Sequence, residues 1–317
     1  MIELKNVCKN YGLTPALTDV SFSVKKGQIV GFVGPNGAGK STAMKIITTY
    51  TAPTSGSCTV GGYDVMKDPL SVRQMIGYLP ETVPLYYDML VHEYLEFIGQ
   101  ARHLNGNFKQ RYEWVVEAAG LAPVLNRKIS VLSKGYKQRT CLAQALIHDP
   151  DILILDEPTS GLDPLQIIGI RNLIRNLSRD KTIILSTHIL PEVSTVADRI
   201  LVVNEGHLVA DGSFDDLIQQ VTKRNSVYIS VKAAKKDFQL GIKKIKGVEE
   251  LEFDESTPRG VVGGHIYFPS KTDILPDLNH AIRENNWDVV EFSRERLSLE
   301  ESFIRLTRSS SQEGGTA

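Results

Sequence analysis

The chain has 317 residues, 42% of them hydrophobic and 23% charged, with a formal net charge of −1. That make-up fits a soluble globular protein with one large domain and a smaller one, and it supplies no general attraction to nucleic acid or to an anionic membrane surface. Three widely spaced cysteines, Cys8, Cys58 and Cys141, argue against a disulfide framework and a zinc site and fit a reducing compartment. No signal-peptide core is read at the start and no apolar run has bilayer length, so any membrane role is expected to come through a partner.

In chain order, residues 1–220 read as short apolar strands alternating with amphipathic helices. Ile29-Val30-Gly31-Phe32-Val33, Ile152-Leu153-Ile154-Leu155 and Thr182-Ile183-Ile184-Leu185 are unbroken apolar runs, the signature of parallel strands buried on both faces. Between the first two lies a helical stretch, about 88–149, where Val91, Tyr94, Leu95, Ile98 and Ala101 share one helical face. The expected core is α/β with an inserted helical subdomain. Beyond residue 222 the pattern changes to βαββαβ, with strands near 227–231, 248–253, 264–268 and 287–293 and helices near 234–245 and 274–282. This order predicts a small α+β ferredoxin-like domain over 223–308. Ser298 and Glu301 have the spacing of a capping box for a last helix, and 309–317 read as a disordered tail. No internal repeat is seen.

Gly34-Pro35-Asn36-Gly37-Ala38-Gly39-Lys40-Ser41-Thr42 fits the phosphate-loop pattern and stands where that pattern needs to stand, after a strand and before a helix. The glycines let the backbone turn several N–H groups toward one anion, and the helix adds its positive end. Lys40 brings a mobile cation to the β- and γ-phosphates of ATP, and Ser41 offers a hydroxyl to Mg²⁺.

Asp156 and Glu157 follow the strand 152–155 directly, at the sheet edge where open α/β folds bind ligands. Taken alone they read as two solvated carboxylates. Beside a phosphate loop, Asp156 reads as a Mg²⁺ holder and Glu157 as the group that poises a water for in-line attack. His188 follows the strand 182–185 and falls on the same edge, in reach of the γ-phosphate or of Glu157. Ser133 reads as the cap of a helix from about Gly135 to Ile147, whose start is also an anion site.

Together these segments resemble the ATPase subunits of ABC transporters. Ile152 to Asp163, ILILDEPTSGLD, is similar to the Walker B and D-loop segment; Leu132-Ser133-Lys134-Gly135 resembles the signature; Ser186-Thr187-His188 resembles the switch loop; and Gly77-Tyr78-Leu79-Pro80-Glu81 stands at the Q-loop. The wording is closest to ABC-2-type exporter ATPases, including the gliding-motility-associated branch, and the end of the C-terminal module, Leu299-Glu300-Glu301-Ser302-Phe303, is similar to their accessory domain. The resemblance implies a P-loop NTPase fold with ATP and Mg²⁺ as ligands. It implies that Tyr11 stacks on adenine, that Glu81 reaches the metal or its water, that Ser133 and Gly135 grip the γ-phosphate of a second copy, and that Asp163 bridges that interface. It further implies a homodimer, or a heterodimer with a related ATPase. That dimer would drive integral membrane permease subunits from the cytoplasmic face, exporting rather than importing, with no nucleic acid bound. Residues 82–89, with Pro84, Tyr86 and Tyr87, are expected to receive a short helix of the permease. Two departures stand out: Glu81 replaces glutamine, and Lys134 replaces a signature glycine. A soluble ABC ATPase acting on ribosomes or DNA is the rival reading; the chain has one ATPase unit and no heptad run, against the two units or long coiled coils of such proteins. A regulatory module without turnover is opposed by intact Lys40, Asp156, Glu157 and His188, and a GTPase by the lack of a guanine-reading N-K-x-D segment.

Overall fold

A computed structural model describes residues 1–104, 106–178, 180–221, 224–254, 256–258, 260–269 and 272–295. The expected link at 222, the capping box at Ser298 and Glu301, the motif at 299–303 and the tail 309–317 therefore lie at or outside the limits of the described residues. The chain divides into two compact units, Met1–Phe214 and the part that begins at Asp215.

The strands of the first unit are β1 (Ile2–Tyr11), β2 (Thr14–Val24), β3 (Ile29–Val33), β4 (Ser55–Val60), β5 (Tyr63–Asp64), β6 (Ile76–Leu79), β7 (Ile152–Asp156), β8 (Thr182–Thr187), β9 (Arg199–Asn204) and β10 (His207–Gly212). Its helices are α1 (Lys40–Ile47), α2 (Pro69–Met75), α3 (Val91–Ala101), α4 (Phe108–Ala118), α5 (Lys134–Leu146), α6 (Pro164–Leu177) and α7 (Leu190–Val193). Six strands form one sheet in the order β10-β9-β3-β8-β7-β6. Every pair from β9 to β6 is parallel. The apolar runs of β3 and β7 are buried throughout, as expected of strands covered on both faces.

Two features depart from simple strand–helix alternation. A second sheet, β2-β1-β4-β5, is antiparallel. Its signal is the period-two burial of Ile2 and Leu4, and of Val20, Phe22 and Val24, which marks half-buried strands rather than doubly covered ones. The edge strand β10 returns antiparallel on β9 through Glu205 and Gly206, at φ 48° and 79°. Two successive positive φ values are the mark of a tight hairpin turn. Helix α1 gives Ala43, Met44, Ile46 and Ile47 to an apolar core that also holds Ile2, Leu4 and Phe22 from the antiparallel sheet and Val30, Ile154 and Ile184 from the parallel one. The helix that follows the phosphate loop is thus anchored by both sheets.

In the inserted helical region, α5 begins one residue before the expected Gly135. Ser133 caps it, its side chain accepting from Tyr136 N at 3.4 Å. Asp163 caps α6 by accepting from Gln166 N at 2.9 Å, with Pro164 at the first helical position.

The second unit contains α8 (Phe214–Val221, whose first residue belongs to the first unit), β11 (Arg224–Lys232), α9 (Lys235–Lys243), β12 (Glu250–Asp254), β13 (Val262–Pro269), α10 (Leu275–Glu284) and β14 (Asp288–Glu295). The sheet runs β12-β13-β11-β14 with all neighbours antiparallel, the order of a split βαβ ferredoxin-like module. Val227, Ile229, Phe238, Ile242, Ile266, Phe268 and Leu278 form its own core.

Candidate active site

The carboxyl ends of the parallel strands deliver the site in sheet order. β3 leads into the phosphate loop, β8 into His188, β7 into Glu157 and β6 toward Glu81. The loop geometry demands glycine at two points. A Cβ at Gly34 would sit 2.3 Å from the carbonyl oxygen of Val203, and Gly39 caps α1 at φ 104°, where a Cβ would meet the carbonyl oxygen of Ala16 at 2.5 Å. Gly39 gives α1 no side-chain cap, so the amide N–H groups of the first turn stay available to an anion.

Lys40 is buried at 6% exposure. Its ammonium donates to the carbonyl oxygens of Gly34 at 2.8 Å and Pro35 at 3.2 Å and stands 3.5 Å from Glu157 Oε1. The other carboxylate oxygen, Oε2, is 3.0 Å from His188 Nδ1. Burial pushes the Glu157 carboxyl above its ordinary range, and Lys40 and then His188 pull against that rise. Glu157 holds φ 50°, a left-handed conformation uncommon for a residue with a Cβ. Its N–H is fixed by Ser186, through the carbonyl oxygen at 3.2 Å and Oγ at 3.1 Å. Ser186 Oγ also donates to Asp156 Oδ1.

A cavity of about 230 Å³ is lined by Asn36, Gly37, Gly39, Lys40, Ser41, Thr42, Glu81 and Glu157, with Ala16. An adjoining cavity of about 470 Å³ brings Ser41, Glu81 and Asp156 together. One hydroxyl and two carboxylates are oxygen donors of the kind Mg²⁺ takes, and they leave coordination places for phosphate oxygens and water. The buried ammonium, the uncapped helix start and the open space around Gly37 suit a polyphosphate in the same way.

Tyr11, Ser133, Gly135 and Asp163 are not among the residues that line these cavities. Tyr11 ends β1, 51% exposed, with Lys9 Nζ 5.1 Å from its ring centre. Gly135 is covered by the Gln166 side chain, and the Lys134 ammonium rests against Gly161, so close that a Cβ at Gly161 would lie 2.2 Å from Nζ. Lys134 therefore joins the start of α5 to the D-loop within one copy. Tyr86 and Tyr87 are exposed, 56% and 46%. Sequence reasoning assigned nothing to Ser186 beyond its place in the switch loop; its hold on both carboxylate residues depends on the β7–β8 register, Asp156 opposite Ser186.

The family model described as ABC transporter matches residues 17–160. The linearmycin resistance ATP-binding protein LnrL of Bacillus subtilis is 32% identical over 302 residues, covering 94% of this chain and 97% of its own. The bacitracin transport ATP-binding protein BcrA of Bacillus licheniformis is 32% identical over 309 residues, 96% and 97% of the two chains. Among solved structures, an ATP-binding subunit of an ABC transporter aligns with TM-score 0.65 at 32% identity, over 69% of this chain and 92% of that one. A dimeric bacterial ABC transporter cassette aligns with TM-score 0.61 at 28% identity, over 67% and 98%. The chain belongs to the ABC transporter ATP-binding proteins, the ATPases of those transporters.

Proposed function

We propose that this chain binds ATP–Mg²⁺ between the phosphate loop of one copy and the signature of a second, and that the dimer drives permease subunits that export a compound across the membrane. The carrying observation is the contact of the buried Glu157 carboxylate with the buried Lys40 on one oxygen and with the exposed His188 on the other. Lys40, the α1 amides and Ser41 hold the triphosphate; Glu157 accepts the proton of the attacking water; His188 orients Glu157 and faces the γ-phosphate. Bound Mg²⁺, held by Ser41, Asp156 and Glu81, supplies charge neutralisation to the β- and γ-phosphates. Tyr11 stacks on adenine. Ser133, Gly135 and Asp163, which stand outside the cavity of their own copy, serve the partner's site. The place at the cytoplasmic face rests on the likeness to ATP-binding subunits of transporters; no helix among the described residues is long and apolar enough to cross a membrane. Pro84, Tyr86 and Tyr87 are the surface offered to the permease. Export is supported by the linearmycin-resistance name of one relative matched along nearly the whole chain. Placement in the gliding-motility-associated branch rests on the wording of the motif segments alone.

The test is size-exclusion chromatography of Glu157→Gln. The variant is expected as a dimer with ATP–Mg²⁺ and a monomer without it, because uncleaved ATP keeps each γ-phosphate gripped from across the interface. A trapped dimer that persists when Ser133 is replaced by Trp overturns the composite site.

A further inference from the structure

Glu192 is a buried carboxylate, 6% exposed, on the single-turn helix α7. One of its oxygens, Oε2, accepts from two hydroxyls carried by different segments: Thr159 Oγ1 at 2.6 Å and Thr187 Oγ1 at 2.8 Å. Both threonines are buried, 6% and 0% exposed. Thr159 lies two residues after Glu157, and Thr187 immediately precedes His188. Thr187 Oγ1 also accepts from the amide of Ile189 at 3.1 Å, which fixes the turn that carries the imidazole.

A carboxylate taken out of water is costly unless it is well hydrogen-bonded, and an apolar side chain of similar volume would fill this space without that cost. What the carboxylate supplies is two charge-assisted hydrogen bonds, short and directional. They converge on the two segments whose side chains meet 3.0 Å apart at Glu157 and His188. One of those segments leaves a residue at φ 50°, a conformation that persists only where its surroundings hold it.

We propose that Glu192 is a positioning residue for ATP cleavage: its carboxylate ties the segment after Glu157 to the segment before His188 and sets the distance at which the imidazole meets the carboxylate. The inference rests on the roles given above to Glu157 and His188. Glu192 is not among the residues that line the phosphate-loop cavity and acts through the two threonine hydroxyls.

The experiment is steady-state ATP hydrolysis by the full chain, with kcat and KM measured separately. Thr159→Val and Thr187→Val each remove one hydroxyl at nearly constant shape, so they keep the test open should Glu192→Ala fold poorly. Each is expected to lower kcat about tenfold and to leave KM for ATP within about twofold, since the phosphate loop is untouched. Glu192→Gln retains an acceptor oxygen and is expected within about threefold of wild type. The double variant Thr159→Val/Glu192→Ala should be no slower than Glu192→Ala alone, the non-additivity of partners in one network. Two folded valine variants with wild-type kcat, or losses confined to KM, overturn the inference while leaving the site intact. A wild-type chain that leaves ATP uncleaved overturns the reading of the site, and this inference with it.

Discussion

Lys40 Nζ and Glu157 Oε1 face each other at 3.5 Å with both side chains almost wholly buried. On the proposed reading a triphosphate oxygen would compete with that carboxylate for the same ammonium, so the two residues separate experimentally. Lys40→Ala is expected to weaken ATP binding severely. Glu157→Gln is expected to bind ATP while hydrolysis falls by roughly 10²–10⁴-fold. Lys40→Ala also takes one of two partners from the buried Glu157 carboxylate, leaving it on His188, a destabilising change, so adding Glu157→Gln to Lys40→Ala should restore part of the lost thermal stability. A double variant less stable than Lys40→Ala would show that the Glu157 carboxylate stabilises the fold even without Lys40. Isothermal titration and thermal melts read both outcomes.

Tyr11→Ala removes an exposed aromatic face and leaves the phosphate cavity unchanged. Base–aromatic stacking is worth about 1–3 kcal/mol, so ATP affinity is expected to fall roughly ten- to a hundredfold, while inorganic triphosphate binding stays as in wild type. Tyr11→Phe should bind ATP normally. Equal ATP affinity in the alanine variant would leave Tyr11 as a strand-end residue steadied by Lys9.

Much of this site is legible in the sequence because its chemistry is local. Nine consecutive residues, 34–42, carry the loop, and Asp156 and Glu157 adjoin the apolar run that places them. The antiparallel sheet is harder to read, since Ile2, Leu4 and Val7 are spaced by polar residues and by bulges in the β1–β2 register, which break strict alternation. Ser186 and Glu192 are silent for a different reason. A serine near a strand end and a glutamate on a short helix have ordinary solvated readings, and only strand register and the α7 turn bring their oxygens onto Asp156, Thr159 and Thr187. The contact of Lys134 with Gly161 is likewise a matter of how the start of α5 meets a loop 27 residues on in the sequence.

The separate cores of the two units predict that the first stands alone. Its apolar cluster and that of the second unit are different sets of residues, so a cut near residue 222 removes no member of the first cluster. A 1–222 fragment is expected to be soluble, to melt cooperatively and to bind ATP. An insoluble fragment, or one that no longer binds nucleotide, would show that the second unit completes the first.

His148 predicts how the first unit responds to acid. Its ring Nε2 donates to the carbonyl oxygen of Ile76 at 3.1 Å, and Nδ1 is buried with no hydrogen-bond partner among the described residues, an environment that favours the neutral imidazole. Burial, and after it the nearby charge of Arg102, lowers its pKa from 6.5 to about 4; Lys181 and Arg111 act in the same direction. The unfolded chain binds the proton at about 6.5 and the folded chain only near 4. Stability that is fully present above pH 6.5 is therefore lost as pH falls through that window, and the loss is complete once the folded state protonates as well. The difference corresponds to about 3 kcal/mol over the whole window, of which about 2 kcal/mol should appear between pH 7 and pH 5. His148→Gln keeps a donor for Ile76 and cannot take up the proton. Urea unfolding of wild type and variant at pH 7 and pH 5 isolates the effect, because titrating groups not coupled to His148 cancel in the difference. The variant is expected to lose less stability than wild type on going to pH 5. Equal losses would mean that His148 is protonated in the folded chain, and that the cluster of Arg102, Arg111 and Lys181 around it is screened by water.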